Sequence, residues 1–300
     1  PPSRTRPVPL LITFPATGAD MPRLNDQTRY WMLVLPALAI MVIFYILPVL
    51  GIWEISFTEP ATGLGNYVKM TESNAVKTSF ILTFRVAAIT TVGCLLLGYI
   101  VAYAISNFVT RLTPLMLALV LLPFWVSVLI RSFSWIILLG RSGLVNDTLR
   151  DIGLITSPLR LMHNELGVLI AMIHVMLPFA VLPMLANMRG ISRSYTDAAR
   201  GLGASEWTAF RSVYFPQTLP GVFSGALLVF VLSLGFFVTP ALLGGGRVLM
   251  ISEYITYQIQ EFLAWGLGSA LSVALLVATA LVLLIAARFV NLKSALLERN

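Results

Sequence analysis

Few side chains in this 300-residue chain could carry acid–base or nucleophilic chemistry. Its two histidines, His163 and His174, stand eleven residues apart. Ser127 or Ser132 could in principle join His174 as nucleophile and base, but no sequence motif supports that combination. His174 lies midway along an apolar run, which favours a hydrogen-bonded interior residue over a proton relay or a metal ligand. These residues do not predict an enzyme or a metal site.

A second group of side chains could handle a charged solute. Arg131 lies toward the outer end of one apolar run, and Arg85 lies near the outer start of another. Charged groups within apolar runs are costly and often functional, although residues near the ends can reach the interface or pair. An unpaired Arg131 would favour an anionic solute, whereas aromatic faces would attract a cation. The candidate residues for a solute pathway are Trp125, Arg131, Trp135, Phe236 and Phe237.

The composition places these residues in a membrane protein. Hydrophobic residues make up 58% of the chain and charged residues only 11%, whereas soluble domains carry about 25% charged residues. The net charge of +7 is not gathered into one basic patch, so it does not predict nucleic-acid binding. The single cysteine, Cys94, excludes an intrachain disulfide and is interpreted as a packing residue.

Six apolar runs are long enough to cross a bilayer, which takes about 20 helical residues. Continuous runs favour helices over the alternating segments of a β-barrel. We therefore predict an all-α integral membrane fold with a six-span domain over residues 30–290. The predicted spans are Trp31–Ile52, Ser79–Ile105, Leu115–Leu139, Leu166–Met188, Val222–Leu243 and Gly266–Val290.

The distribution of Lys and Arg predicts the orientation of the spans. With the N-terminus inside, the inner segments carry twelve of these residues and the outer segments six. Because positive residues accumulate on the cytoplasmic side, both termini are predicted to be cytoplasmic, in segments 1–29 and 291–300. The Pro-rich residues 1–20 are predicted to be disordered and to be upstream or expression-derived sequence, since Met21 resembles a natural start.

Acidic residues are more frequent in the outer connections than in the inner ones. Such an acidic surface could receive a cationic solute or a basic protein, and the alternative is a set of solvated loops. The outer acidic residues are Glu54, Glu59, Glu72, Asp147, Asp151, Glu165, Glu253 and Glu261.

A polar segment, SYTDAARGLGASEWTAFRSVYFPQTLPGV, separates the fourth and fifth spans on the inner side. Ser194 or Thr196 could cap a first helix with Asp197 in its first turn, and Ser205 could cap a second. The intervening glycines predict a turn, and the prolines after residue 215 predict that the second helix ends before the next span. So short a helix pair must dock on another surface, but it lacks the groove-reading residues of a DNA-binding helix-turn-helix.

The segment resembles the EAA loop of ABC-importer permeases, whose pattern is E-A-A, three residues, G, nine residues and I-x-L-P. Asp197-Ala198-Ala199, Gly203 and Val213-Tyr214-Phe215-Pro216 match that spacing, with Asp for Glu, Val for Ile and Phe for Leu. Two further stretches, PFWVSVLIRSFSWIILLGRSGLVN and LSLGFFVTPALLGGGRVLMISEYI, resemble spermidine/putrescine-type permeases. The resemblance covers most of residues 30–290.

The resemblance implies the type I permease fold and a coupling segment over 194–221 that docks on a cytoplasmic ATPase. The implied coupling residues are Asp197, Ala198, Ala199, Gly203, Val213, Phe215 and Pro216. It further implies two ATPase subunits that bind ATP and Mg, a second permease subunit and an extracytoplasmic solute-binding protein. It also implies that the chain lies in the bacterial cytoplasmic (inner) membrane. The chain has no Walker A pattern, so ATP hydrolysis is expected on the partner chains and no cofactor on this one.

The implied solutes are polyamines or related amines. Relatives of this type that carry 4-aminobutyrate, opines or phosphonates are the alternatives. A secondary transporter is a rival of another class, but it would show inverted repeats and ionisable groups near the middle of the membrane. Neither is visible in the sequence.

Overall fold

A computed structural model describes residues 26–107 and 111–297 of the chain. Segment 1–20, predicted to be disordered, lies outside the described residues. The chain divides into two units, residues 1–50 and 51–300. The described part of the first unit contains helix α1 (Asp26–Met41), a π-helical turn (Val42–Ile46) and the start of helix α2 (Leu47–Thr58).

Every regular element among the described residues of the second unit is helical. Two of the helices, α4 and α14, exceed 30 residues, and several short helices lie in the connections. The helices are α3 (Gly65–Glu72), α4 (Asn74–Asn107), α5 (Thr113–Trp125), α6 (Val128–Leu139), α7 (Leu144–Asp151), α8 (Glu165–Arg189), α9 (Arg193–Gly201), α10 (Glu206–Ala209), α11 (Phe215–Leu234), α12 (Val238–Gly244), α13 (Ile251–Gln260) and α14 (Trp265–Leu297).

Six stretches of the described residues are long and apolar enough to cross a membrane, as predicted. Their lengths, 24 to 34 residues, exceed the roughly 20 residues that the hydrocarbon core requires. Successive crossings place alternate connections on opposite sides of the membrane. The candidate spans are Val34–Thr58, Asn74–Asn107, Val128–Asp151, Glu165–Arg189, Glu206–Leu234 and Trp265–Arg288.

Helices α4, α8 and α11 pack together at the centre of the second unit. Small residues permit their close approach: a Cβ at Gly98 would lie 3.3 Å from the Ala180 Cβ, and one at Gly225 would lie 3.0 Å from the Ala180 carbonyl oxygen. Such small residues are typical of helix contacts in membranes, where tight packing replaces the hydrophobic effect. Cys94 is buried in this core, as predicted.

The third predicted span, a single helix over Leu115–Leu139, is wrong. The structure has two helices there, α5 and α6, separated by the non-helical residues Val126 and Ser127, of which Val126 is extended. Pro123 stands in the last turn of α5. A proline removes one backbone hydrogen bond and clashes with the preceding turn, which weakens the end of α5.

The predicted boundaries of the fifth span also differ from the structure. The prolines were expected to end a helix before the span, but α11 begins at Phe215 and runs through Pro216 and Pro220 to Leu234. The chain then leaves the helix at Gly235, and α12 begins at Val238. The hydroxyl of Ser252 donates to the Phe236 carbonyl in this break (2.8 Å), which satisfies a backbone group that the helix no longer pairs.

The segment between the fourth and fifth spans as a candidate coupling site

Helix α9 begins the segment that follows the fourth span. Ser192 caps it by accepting a hydrogen bond from the Ser194 amide, so the predicted caps at Ser194 and Thr196 are wrong. Asp197 is the fifth residue of the helix rather than part of its first turn. The cap lies earlier than predicted because Gly190 and Ile191 already form a turn after α8, through bonds to the carbonyls of Asn187 and Met188.

Gly203 makes the turn that follows α9, as predicted. Its φ of +88° lies in the left-handed region, which glycine adopts without steric cost. The Gly203 amide donates to the Arg200 carbonyl (2.9 Å), and the Ala204 amide donates to the Ala199 carbonyl (3.0 Å). An Arg200–Glu206 ion pair of 3.2 Å bridges the turn, but both side chains are largely exposed, so the backbone bonds fix the geometry.

The second helix of the segment is continuous with the fifth span. Ser205 caps α10 by accepting from the Thr208 amide, as predicted. A π-helical turn over Phe210–Tyr214 then joins α10 to α11, and the Phe215 amide donates to the Phe210 carbonyl. A displacement of the end of α10 would therefore pass directly into the fifth span.

Three side chains fasten the segment to the end of the second span. The two N–H groups of the Asn107 amide are shared among the Tyr214 hydroxyl (2.9 Å), the Tyr103 carbonyl (3.1 Å) and the Ser106 hydroxyl (2.9 Å). The Arg193 guanidinium donates to the Asn107 carbonyl (2.9 Å), which ties α9 to α4. Tyr214 is buried, and its ring meets Tyr103 edge-on with centroids 5.5 Å apart. We call Asn107, Arg193 and Tyr214 the latch.

The latch was not predicted, because its members are distant in sequence and none belongs to a motif of its own. Tyr214 lies inside the matched pattern, at the position that the pattern leaves free. Only the packing of α4 against α11 brings Asn107 to it.

The segment presents an apolar surface that nothing in the described second unit covers. Leu202, beside the turn, is 91% exposed, and Trp207 on α10 is 67% exposed. The rings of Trp207 and Phe210 stack with centroids 5.7 Å apart, which links this surface to the latch through Phe210 and Tyr214. A cavity of about 1050 Å³ lies between the segment and the ends of α4 and α8. Large apolar side chains exposed together are typical of a docking surface.

The seven residues predicted to couple to an ATPase fall into two groups. Asp197, Ala198 and Gly203 are exposed around the turn, and Ala199 is half-buried. Val213, Phe215 and Pro216 lie on the π-turn and the start of α11, where the Phe215 ring packs near Tyr99 (5.9 Å). The first group therefore belongs to the surface and the second to the connection with the span, while their part in coupling remains a prediction.

The structure does not gather the five predicted pathway residues into one site. Trp125 ends α5 and is 89% exposed, whereas Arg131 is half-buried in the first turn of α6 with its Nε buried and unpaired. Trp135 and Phe236 pack against one hydrophobic cluster around Leu139 and Met172. Phe237 lines a separate cavity beside α13.

Two polar predictions about the spans are confirmed. The Trp135 indole donates to Nδ1 of His174 (3.2 Å), so His174 is a hydrogen-bonded interior residue. Arg85 pairs with Glu165 at the start of α8, with its Nε 3.0 Å from Oε1, so it is structurally paired.

The burial of Glu253 was not predicted from the sequence. It was grouped with the outer connections, for which solvated loops were one interpretation, yet it is only 4% exposed. Burial raises the pKa of Glu253 to about 7, because the charged form loses its hydration. A periodic signal existed: Glu253, Tyr257 and Gln260 recur at helical spacing, which predicts one face of a helix.

Residues 95–294 match the family model described as binding-protein-dependent transport system inner membrane component. The spermidine/putrescine transport system permease protein of Haemophilus influenzae is 36% identical over 195 residues, covering 65% of this chain and 68% of that protein. The chain therefore belongs to the family of binding-protein-dependent transport system inner membrane components. The Escherichia coli K12 protein of the same description is 32% identical over 224 residues, covering 75% of this chain and 81% of its own length.

A solved structure has the same fold. In a bacterial alginate ABC transporter in complex with alginate pentasaccharide-bound periplasmic protein, one chain matches with a TM-score of 0.69 and 19% identity, covering 87% of this chain and 94% of that one. This permease is therefore a multi-pass inner-membrane subunit of a binding-protein-dependent ABC importer with the type I fold. The predicted fold and family are confirmed.

Proposed function

We propose that this permease imports a polyamine such as spermidine or putrescine, driven by ATP hydrolysis on partner subunits. The observation that carries the coupling half of the proposal is the exposed apolar surface around Leu202 and Trp207, joined through a continuous helix to the fifth span. The substrate half is supported by the relatives with 32–36% identity, whose descriptions name spermidine and putrescine.

In this mechanism two ATPase subunits bind ATP and Mg, and one of them docks on the segment 193–209. Closure of the ATPase pair pushes on α9 and α10, and the continuous helix transmits the movement to α11. The latch makes α4 follow the same movement, so the spans alternate between inward-open and outward-open states. The chain itself has no Walker A pattern and hydrolyses no ATP.

A second permease subunit completes the pathway, and a solute-binding protein delivers the solute from the outer side. Both termini lie in the cytoplasm, in agreement with the excess of Lys and Arg in the inner segments. 4-Aminobutyrate, an opine or a phosphonate is the alternative solute class.

The partner binding protein offers the sharpest test of substrate class. We expect its calorimetric titration with spermidine and putrescine to show binding at least a hundredfold tighter than with 4-aminobutyrate, an opine or 2-aminoethylphosphonate. The reason is that a binding site with carboxylates for several ammonium groups leaves some of these carboxylates unpaired when it binds one of the other solutes. Tighter binding of any of these competitors would contradict the polyamine assignment.

A further inference from the structure

A small acidic cavity lies beside α13, in the connection between the fifth and sixth spans. This connection and the coupling segment are separated by one crossing, so the cavity is on the opposite side of the membrane from the coupling segment. Its volume is about 210 Å³. It is lined by Phe237, Ala241, Glu253, Thr256, Tyr257, Gln260 and Glu261.

The two walls of the cavity come from adjacent helices. On α13, Glu253, Tyr257 and Gln260 follow the three- and four-residue spacing of one helix face. On the other side, Phe237 and Ala241 are one turn apart at the start of α12, and the Ala241 amide donates to the Phe237 carbonyl (3.0 Å). Because both walls are regular backbone, the cavity is a feature of the fold rather than of a loop tip.

Glu253 is the unusual member of this lining. The residue is 4% exposed, and its Oε2 is buried without a hydrogen-bond partner among the described residues. The residues that line the cavity include no Lys, Arg or His that could neutralise it. A buried, unpaired carboxylate is costly, and a cation would relieve that cost.

The other side chains indicate the chemical class of that cation. The faces of Phe237 and Tyr257 suit an ammonium or alkylammonium group, and the oxygens of Thr256, Gln260 and Glu261 can accept its N–H donors. A volume of about 210 Å³ is below the 300–1000 Å³ of sites that enclose a whole small molecule. The cavity therefore fits one end of an extended amine rather than all of it.

We propose that Glu253, flanked by Phe237 and Tyr257, binds a terminal ammonium group of the transported amine as it enters from the side opposite the coupling segment. This inference rests on the proposed function. It assigns to the permease itself a selective contact with the solute. Glu261, at the exposed end of the same helix face, is the second carboxylate along the entry route.

Transport by matched glutamine variants tests the proposal. The complete importer is reconstituted with its binding protein, and uptake of radiolabelled spermidine is measured with ATP hydrolysis stimulated by the binding protein. We expect Glu253→Gln to lower uptake about tenfold or more, since the loss of one partner of a buried charge pair is costly. Hydrolysis should stay within about twofold of wild type. The control Glu72→Gln, an exposed outer carboxylate on α3, should change neither quantity.

A labelling experiment gives a readout that does not depend on transport. A hydrophobic carbodiimide modifies buried protonated carboxyls, and mass spectrometry of the peptide carrying Glu253 measures the extent. We expect spermidine, putrescine and methylammonium each to protect Glu253 at least threefold, and 1,4-butanediol not to protect it. Assembly of Glu253→Gln is checked by size-exclusion chromatography, and the labelling applies to the wild-type protein even if that variant does not assemble.

The two experiments separate this proposal from the proposed function. If the wild-type importer does not take up spermidine but methylammonium protects Glu253, the polyamine assignment fails and the ammonium site stands. If spermidine is taken up while Glu253→Gln transports normally and no amine protects Glu253, the site is refuted. If Glu253→Gln lowers the stimulated ATP hydrolysis and no amine protects Glu253, the carboxylate contacts the binding protein, and the proposal is equally overturned.

Discussion

Single residues set the conformation of the coupling segment, and Gly203 does so through its backbone. Beyond its two chain neighbours, a Cβ at this position would meet no atom of the described residues within 4 Å, so the demand for glycine comes from the φ of +88°. The matched pattern predicted this glycine, because a turn between two helices favours a residue that tolerates the left-handed region. The position of the N-cap could not be predicted in the same way, since Ser192, Ser194 and Thr196 are all capable of capping.

Gly203 variants separate backbone strain from charge at the docking surface. We expect Gly203→Asp to insert and assemble but to lose most uptake per ATP hydrolysed, because it places a carboxylate in the turn that docks. Gly203→Asn has nearly the same shape and tolerates the left-handed region, so it should retain several-fold more uptake than Gly203→Asp. Gly201→Ala, at an open helical position, should behave as wild type. Normal uptake per ATP hydrolysed in Gly203→Asp would contradict the proposed docking role of this turn.

The ionisation of Glu253 gives a prediction about pH. With its pKa raised to about 7, the carboxyl is mainly neutral below that pH and mainly charged above it. Protection by methylammonium should therefore strengthen several-fold between pH 6 and pH 8, since the charged form attracts the cation. Tyr257 and Glu261 are the other titratable groups among the residues that line the cavity. Glu261→Gln should keep the pH dependence, and protection that weakens as pH rises would contradict this assignment.

At the scale of helices, the sequence predicted the number of spans better than their ends. Hydrophobic length alone indicates a crossing, whereas a boundary depends on how backbone groups are satisfied after a proline or glycine. The ring of a helical proline clashes with the carbonyl four residues earlier. For Pro216 that carbonyl lies in the π-helical turn Phe210–Tyr214, which ends two residues before the proline, and this is why Pro216 is tolerated. In the first unit, the π-turn Val42–Ile46 precedes Pro48 at the same offset. No π-helical turn precedes Pro123, and α5 ends two residues after it, at Trp125.

The latch gives a prediction about the transmission of movement between helices. Tyr214→Phe removes the hydroxyl that accepts from Asn107, while Asn107 keeps two other acceptors. We expect the free energy of unfolding to fall by about 1 kcal/mol. Uptake per ATP hydrolysed should also fall, because less of the movement of the segment is transmitted to α4.

The control for the latch is a hydroxyl bond on the opposite side of the protein. Tyr67→Phe removes the contact of 2.9 Å with the Ser56 hydroxyl. It should lower stability by a similar amount without changing the ratio of uptake to hydrolysis. Thermal unfolding and coupled uptake assays on both variants measure the two quantities. Equal ratios in the two variants would mean that the latch supports the fold but not the coupling.

At the scale of the whole molecule, the permease has two candidate sites on opposite sides of the membrane. One side carries the exposed apolar surface around Leu202 and Trp207, and the opposite side carries the buried, unpaired carboxylate of Glu253. The sequence predicted the first feature because the coupling segment is contiguous and patterned. It could not predict the burial of Glu253, which depends on how the short helix α13 packs against α4 and α14.

The most direct test of the proposed ATP-driven import is to identify the energy source of uptake. Purified importer in proteoliposomes, with its binding protein, is supplied either with ATP or with an imposed ion gradient. We expect amine uptake to require ATP, to stop with orthovanadate and to continue when ionophores dissipate all gradients. Uptake driven by an ion gradient without ATP, and insensitive to orthovanadate, would contradict the account.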